Sequence, residues 1–187
     1  MTNLTKYVIA LIAFIFLSFS CAADTTPEDK INSIEGVYKR RFENMLYDGS
    51  GEKFTSEDVV EIVRYSSDAV YFRAALKFAN GHACSIWGIA KYDNGSYIYK
   101  SNEKPIVSEM QPCTLKISSD NEYLTLTDTL TEDSSGTCRQ HCGARGSLSN
   151  YKIAISQKRK IRYMPIILKS VQYSESVSAY NEASTLK

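Results

Sequence analysis

From Val70 to Phe78 the chain alternates. Val70, Phe72, Ala74, Leu76 and Phe78 fall on one side, and Tyr71, Arg73, Ala75 and Lys77 on the other. Successive side chains of a strand point to opposite faces, so a period of two predicts a half-buried strand here. The alternation resumes over 82–92, where Cys84, Ile86, Gly88, Ala90 and Tyr92 interleave with Ser85, Trp87, Ile89 and Lys91. Both sides now carry apolar groups, which predicts a central strand, with Gly88 marking a bulge or a close approach. Asn80-Gly81 and Asp93-Asn94-Gly95 are hairpin signals. Further strands are predicted over 34–42, 59–65, 96–100, 113–117 and 123–128, and an eighth along Leu148, Tyr151, Ile153 and Ile155. Beyond Met164 the period lengthens. Met164, Ile167, Leu168, Val171, Val177 and Tyr180 recur at steps of three and four, and Pro165 suits a first helical position, so an amphipathic helix is predicted over about 164–182. The predicted fold class is mainly β: an antiparallel meander closing into a small barrel of about eight strands, with a C-terminal α-helix packed on it. A two-sheet sandwich is the alternative.

Residues 1–23 have another character. Lys6 precedes an uncharged stretch from Tyr7 to Ser20, and the small residues Ser20-Cys21-Ala22-Ala23 follow. This is the layout of a secretory signal peptide, shorter than the about 20 apolar residues of a membrane span. Cleavage can fall after Ala22 or Ala23; alternatively Cys21 is the acylated first residue of a bacterial lipoprotein. Ser20 suits that second reading, whereas Ser18 stands where an aliphatic residue is usual. Residues 24–33 read as a flexible polar lead-in, and 34–187 as a single barrel-like domain with the C-terminal helix. The expected location is the periplasm or the exterior, with the membrane reached only through a lipid on Cys21.

With Cys21 set aside, Cys84, Cys113, Cys138 and Cys142 remain. An even count in an exported chain predicts disulfides, and four cysteines allow three connectivities. The nearness of Cys138 to Cys142 favours a tight loop between them, leaving Cys84 to pair with Cys113. The rival use of these sulfurs is a zinc site built from Cys138, His141, Cys142 and either Cys84 or His82; in an oxidising compartment disulfides are expected instead, with no metal and no cofactor.

Charge narrows the partners. The chain has 22 Lys plus Arg against 21 Asp plus Glu, and loss of Lys6 with the leader balances them, so nothing favours nucleic acid. No H-E-x-x-H, G-x-S-x-G or P-loop spacing occurs, and no acids form a readable pair, so no catalytic residue is assigned. Two surfaces stay in view. His141, Arg145 and Ser147 offer donors on a compact ridge next to the cysteines, and Arg145 suits a carboxylate. Trp87, among many tyrosines, is a candidate face for a small ligand or glycan. Lys158-Arg159-Lys160 with Arg162 reads as a solvated basic run, the alternative in a lipoprotein being contact with anionic headgroups.

The set Gly81-His82-x-Cys84-x-Ile86-x-Gly88-x-Ala90, Cys113-x-Leu115-x-Ile117 and Cys138-x-x-x-Cys142-Gly143-Ala144-Arg145-Gly146 resembles a group of exported bacterial proteins of unassigned function. More broadly the architecture is similar to periplasmic lysozyme inhibitors and related immunity proteins, small disulfide-bearing β-proteins that block peptidoglycan-cleaving enzymes. At the level of fold and compartment, this resemblance implies a non-enzymatic envelope protein that binds a protein partner, a lysozyme-like hydrolase being the type of target. The inhibitory loops of those proteins are not matched, so no residue role is transferred. A barrel that carries a small ligand or glycan is the first alternative, and an envelope enzyme the second.

Overall fold

The computed structural model describes residues 26–103, 111–129 and 136–185; the leader and Cys21 lie outside the described residues. Nine strands form one antiparallel sheet: β1 (Gly36–Met45), β2 (Lys53–Arg64), β3 (Ala69–Lys77), β4 (Ala83–Asp93), β5 (Ser96–Lys100), β6 (Thr114–Ser119), β7 (Tyr123–Thr127), β8 (Tyr151–Ala154) and β9 (Lys158–Arg159). Each strand from β1 to β8 pairs with the next, and β9 returns to the free side of β1. The meander is therefore a nearly closed barrel rather than a sandwich. Asn94 and Gly95 both take positive φ, 44° and 80°, as the tight β4–β5 hairpin requires.

The interior is filled by the alternation read in the sequence. Val60, Ile62, Val70, Phe72, Leu76, Ile86, Tyr97, Leu115, Ile117, Leu124, Leu126 and Ile153 all belong to one buried cluster. A ninth, two-residue strand was not expected, and it makes the closure. Only a single turn, Ile155–Gln157, separates β8 from β9, so the two ends of the meander are drawn together. Gly36 lets β9 approach: a Cβ there would lie 2.8 Å from Lys158 Cγ and 2.9 Å from the Arg159 carbonyl oxygen.

A buried carboxylate spans the seam. Asp58 of β2 is fully buried. Its Oδ2 accepts from Arg40 Nη2 of β1 at 2.7 Å and from the Tyr151 hydroxyl of β8 at 2.8 Å, while Oδ1 accepts from the Lys77 amide at 2.7 Å. The Arg40 guanidinium also stands over the rings of Phe42 and Tyr151. Burial and the neighbouring Asp58 carboxylate raise the Tyr151 pKa, so the phenol stays a donor.

The polar lead-in expected over 24–33 is instead largely helical. Helix α1 (Pro27–Ile34) is capped by Thr26, whose Oγ1 accepts from the Asp29 amide, with Pro27 and the acids Glu28 and Asp29 in its first turn. Ile31 and Ile34 are fully buried in the barrel core, each worth about 1.5–3 kcal/mol relative to exposure. Helix α1 stoppers one end: the Tyr97 hydroxyl donates to the Pro27 carbonyl, Lys30 to the Ser119 carbonyl, and Arg64 pairs with Glu28. That end holds the β2–β3, β4–β5 and β6–β7 turns. The opposite end holds the connectors that bear the cysteines.

The single C-terminal helix expected over 164–182 is two helices, α2 (Met164–Leu168) and α3 (Val171–Thr185). Ser170 divides them; its Oγ accepts from the Tyr173 amide as a cap would. Met164, Ile167, Tyr173, Val177 and Tyr180 pack on a second cluster, Val63, Ala69, Tyr71 and Ile89, on the outer face of β2–β4. Leu168 and Val171, expected in the covered stripe, are left exposed by the break.

Replacing Asp58 by Ala strands the Arg40, Tyr151 and Lys77 donors, and should lower the unfolding free energy by about 3–5 kcal/mol. Tyr151→Phe, which removes one charge-assisted bond, should cost about 1.5–3 kcal/mol. Urea denaturation of both variants checks the order of these effects.

Candidate functional site

The strands β4 and β5 pair only at Lys91–Ile98, Tyr92–Tyr97 and Asp93–Ser96. Over the rest of its length β4 has β3 on one side and a gap on the other. The ring of Tyr99 fills part of that gap by lying across Gly88, where a Cβ would run into it. Tyr99 meets Phe72 edge to face at 5.2 Å between centroids. Gly88 is thus the close approach anticipated from the sequence.

The loop after β7 closes the remainder. Its disulfides join Cys84 to Cys142 and Cys113 to Cys138, not Cys138 to Cys142 and Cys84 to Cys113 as expected. A single helical turn, Arg139–His141, separates Cys138 from Cys142 and sends each sulfur to a different part of the sheet. The sequence separations are 58 and 25, for which the chain-entropy model gives about 4 and about 3.5 kcal/mol. The shorter loop is nested in the longer, so the two do not add in full. With every described cysteine in a disulfide, the zinc reading at Cys138, His141 and Cys142 loses its thiolates. Disulfides also mark an oxidising, non-cytoplasmic compartment.

A second buried carboxylate fixes the same loop. Asp128 accepts from the Cys138 amide at 2.9 Å and from the Ser149 hydroxyl at 2.8 Å, so it holds both ends of the segment. Gly136 lies against this carboxylate, where a Cβ would collide with it. Past Cys142 the chain runs along the free edge of β4. The Gly143 amide donates to the Ala83 carbonyl at 2.8 Å, and a Cβ on Gly146 would lie 2.8 Å from Cys84 Sγ. Gly146 is therefore a packing requirement, while a Cβ at Gly143 would press on His82 Nδ1 at 3.1 Å. The Gly146 amide bonds to the Gly143 carbonyl, which places Ala144 and Arg145 at the tip of a turn.

Between this loop, the β4–β5 gap and α3 lies an open groove of about 600 Å³. Trp87 and Tyr99 are on its floor, Tyr180 and Glu175 on its α3 wall, and Glu103 and His141 at its head. The Trp87 indole N–H donates to Glu175 at 3.1 Å, and Asn102 ties the β5 exit to α3 through the Ala179 carbonyl at 2.7 Å.

No family model, curated protein or solved structure matches this chain.

The structure brings two of the four candidate residues together. Trp87 and His141 line the groove. Arg145 and Ser147 are exposed beyond it, and the Ser147 hydroxyl accepts from the Ser149 amide. Arg145 has no ion pair or hydrogen bond among the described residues. Glu103, Tyr99, Glu175 and Tyr180 were not anticipated as site residues; the sequence places Tyr99 only as part of the strand 96–100 and Tyr180 only in the apolar stripe of the helix. No spacing in the sequence joins them, because the groove exists only once α3 is laid over β4.

His141 is half-buried, and burial pulls its pKa below the ordinary imidazole value of 6.5, with Glu103 acting in the opposite sense. Between that lowered folded value and 6.5 the unfolded chain holds more proton than the folded one, so stability climbs with pH across this window and levels off above it. The thermal midpoint should drop more steeply in the wild type than in His141→Gln between about pH 7.5 and about pH 5.5. Parallel melting curves of the two proteins measure the difference.

Proposed function

We propose that this chain is an exported, non-catalytic binding protein of the cell envelope, periplasmic or held to a membrane by a lipid on Cys21. Its partner is another envelope protein, and a peptidoglycan-cleaving hydrolase of the lysozyme type is the target class that fits. The observation that carries this reading is the exposed Arg145, unpaired among the described residues, at the tip of a loop fixed by two disulfides and Asp128. A loop already ordered gives up little entropy on binding. A guanidinium without an intramolecular partner is free to grip a carboxylate through two parallel hydrogen bonds. Lysozyme-type enzymes present two carboxylates in a cleft, and a rigid finger with Arg145 and Ser147 on its outer side has the chemistry to enter it.

Inhibition of such a hydrolase by the wild type should weaken at least about 30-fold in Arg145→Glu, since truncating or reversing one partner of a buried charge pair costs about 2–5 kcal/mol. The thermal midpoint should stay in place, because Arg145 is exposed and makes no ion pair or hydrogen bond among the described residues. A wild type that inhibits no hydrolase of this class removes the inhibitor reading.

The groove supports a second reading, a small-ligand or glycan site. The barrel interior is occupied by its own side chains, so a ligand would sit outside, on the aromatic faces of Trp87, Tyr99 and Tyr180 beside Glu103 and Glu175. Aromatic faces flanked by hydrogen-bonding groups suit a sugar ring. Trp87 is the chain's one tryptophan, so its fluorescence reports on this groove alone. Titration with peptidoglycan fragments should shift the emission in a saturable way, and Glu175→Ala should change the response; an emission that does not move removes this second reading.

A further inference from the structure

We propose that the junction of β9, α2 and α3 is a docking surface for an anionic lipid leaflet. Four large apolar side chains stand in solvent there: Tyr163 and Ile166 are 68% exposed, Val171 66% and Leu168 43%. Their neighbours Met164 and Ile167 pack on the outer face of the barrel. The segment thus has one apolar side spent on the fold and a second facing away. A helix that only covers a sheet has a polar outer side.

Along this stretch of chain the charge has one sign, and Glu61, the acid of the sheet face beneath, is paired with Arg73. Lys158, Arg159, Lys160, Arg162 and Lys169 fall between positions 158 and 174, which contain no Asp or Glu. Arg159, Lys160, Arg162 and Lys169 form no ion pair among the described residues. The acids of α3, Glu175 and Glu182, come later and line the groove. Apolar side chains bordered by unpaired cations make a segment that seats the former among headgroups and sets the latter against lipid phosphates.

The same charges argue against the other occupants. In a symmetric contact between two copies this surface would meet itself, bringing its cations together at a cost. A protein partner would account for the apolar area but would not call for so many cations without an acid. Position agrees with the lipid reading. Lys158 Nζ donates to the Ser33 carbonyl at 2.6 Å, so the basic run leaves the barrel beside α1, whose first residue Pro27 is six positions after Cys21. An acyl chain on Cys21 would be one anchor and this surface the second, the pairing that stable peripheral attachment needs.

The test uses the chain from Ala22 onward, which keeps every residue of both described cores and has no Cys21 to acylate. It should sediment with vesicles of phosphatidylcholine mixed with phosphatidylglycerol, and not with phosphatidylcholine vesicles alone. Lys160→Glu with Arg162→Glu should weaken partitioning at least about 30-fold, each lost cation being worth about fivefold near an anionic surface. Ile166→Asp with Val171→Asp should abolish sedimentation while the thermal midpoint holds, since both side chains are exposed. The proposal is overturned if the wild type stays in the supernatant with the mixed vesicles, or if both double variants sediment as the wild type does. A wild-type dimer that Ile166→Asp with Val171→Asp splits, without vesicle binding, would assign the surface to self-association and overturn it equally.

Discussion

A carboxylate with no exposure to solvent holds this barrel shut. Asp58 gathers a guanidinium from β1, a phenol from β8 and an amide from the end of β3. Strands β8 and β1 share no ladder, since the sheet order ends at β8 on one side and at the two-residue β9 on the other. An ion removed from water without partners costs several kcal/mol. Arg40 and the Lys77 amide come from the strands that flank β2 in the sheet, and only the Tyr151 hydroxyl reaches Asp58 across the closed seam. The ion pair itself need add little net stability. Its effect is to give the closed arrangement one further charge-assisted bond, from Tyr151, and so to favour this closure over others.

Closure at the seam makes the opening elsewhere tolerable. The β4–β5 ladder ends after three residue pairs, leaving β4 with an edge that a barrel would normally abolish. The molecule covers that edge with a stapled loop and a helix. The Cys84–Cys142 bridge and the Gly143–Ala83 hydrogen bond lay the loop along the start of β4, and α3 passes outside Trp87. Loop and helix do not meet over the middle of the gap, and the groove is what remains. The groove thus arises where strand pairing stops.

Much of this was legible because β-strands repeat at a period of two, and sheet order follows sequence when turns are short. Strands β3, β4 and β5 and the Asn94-Gly95 hairpin follow from that rule. The failures have physical causes. Cys138 and Cys142 are neighbours in sequence, but the helical turn between them points their sulfurs apart, so proximity along the chain misled. Thr26-Pro27-Glu28-Asp29 is a helix start written plainly; its polarity masked it, because only Ile31 and Ile34 face the core. Asp58 lies just before the apolar run that begins at Val59, and β2 starts earlier than that run suggests. Nothing local marks a carboxylate whose partners come from three other strands. Ser170 is a cap, but the apolar stripe runs straight across it, and that continuity hid both the break and the exposed side chains it creates.

The break at Ser170 also bears on how the two ends of the molecule could be used together. Had α2 and α3 formed one helix, a single stripe would have turned Leu168 and Val171 onto the barrel together with Met164 and Ile167. The cap resets the helical phase, so Met164 and Ile167 stay bound while Leu168 and Val171 turn outward. The basic run that precedes them leaves the barrel beside α1. Arg145 projects from the opposite end, next to the start of β4, where the Gly143 amide bonds to the Ala83 carbonyl. If the cationic surface meets a leaflet, the stapled finger is held away from the headgroups, out where a cell-wall enzyme would meet it. Capping by one serine would then decide both which side chains close the outer core and which way the molecule faces.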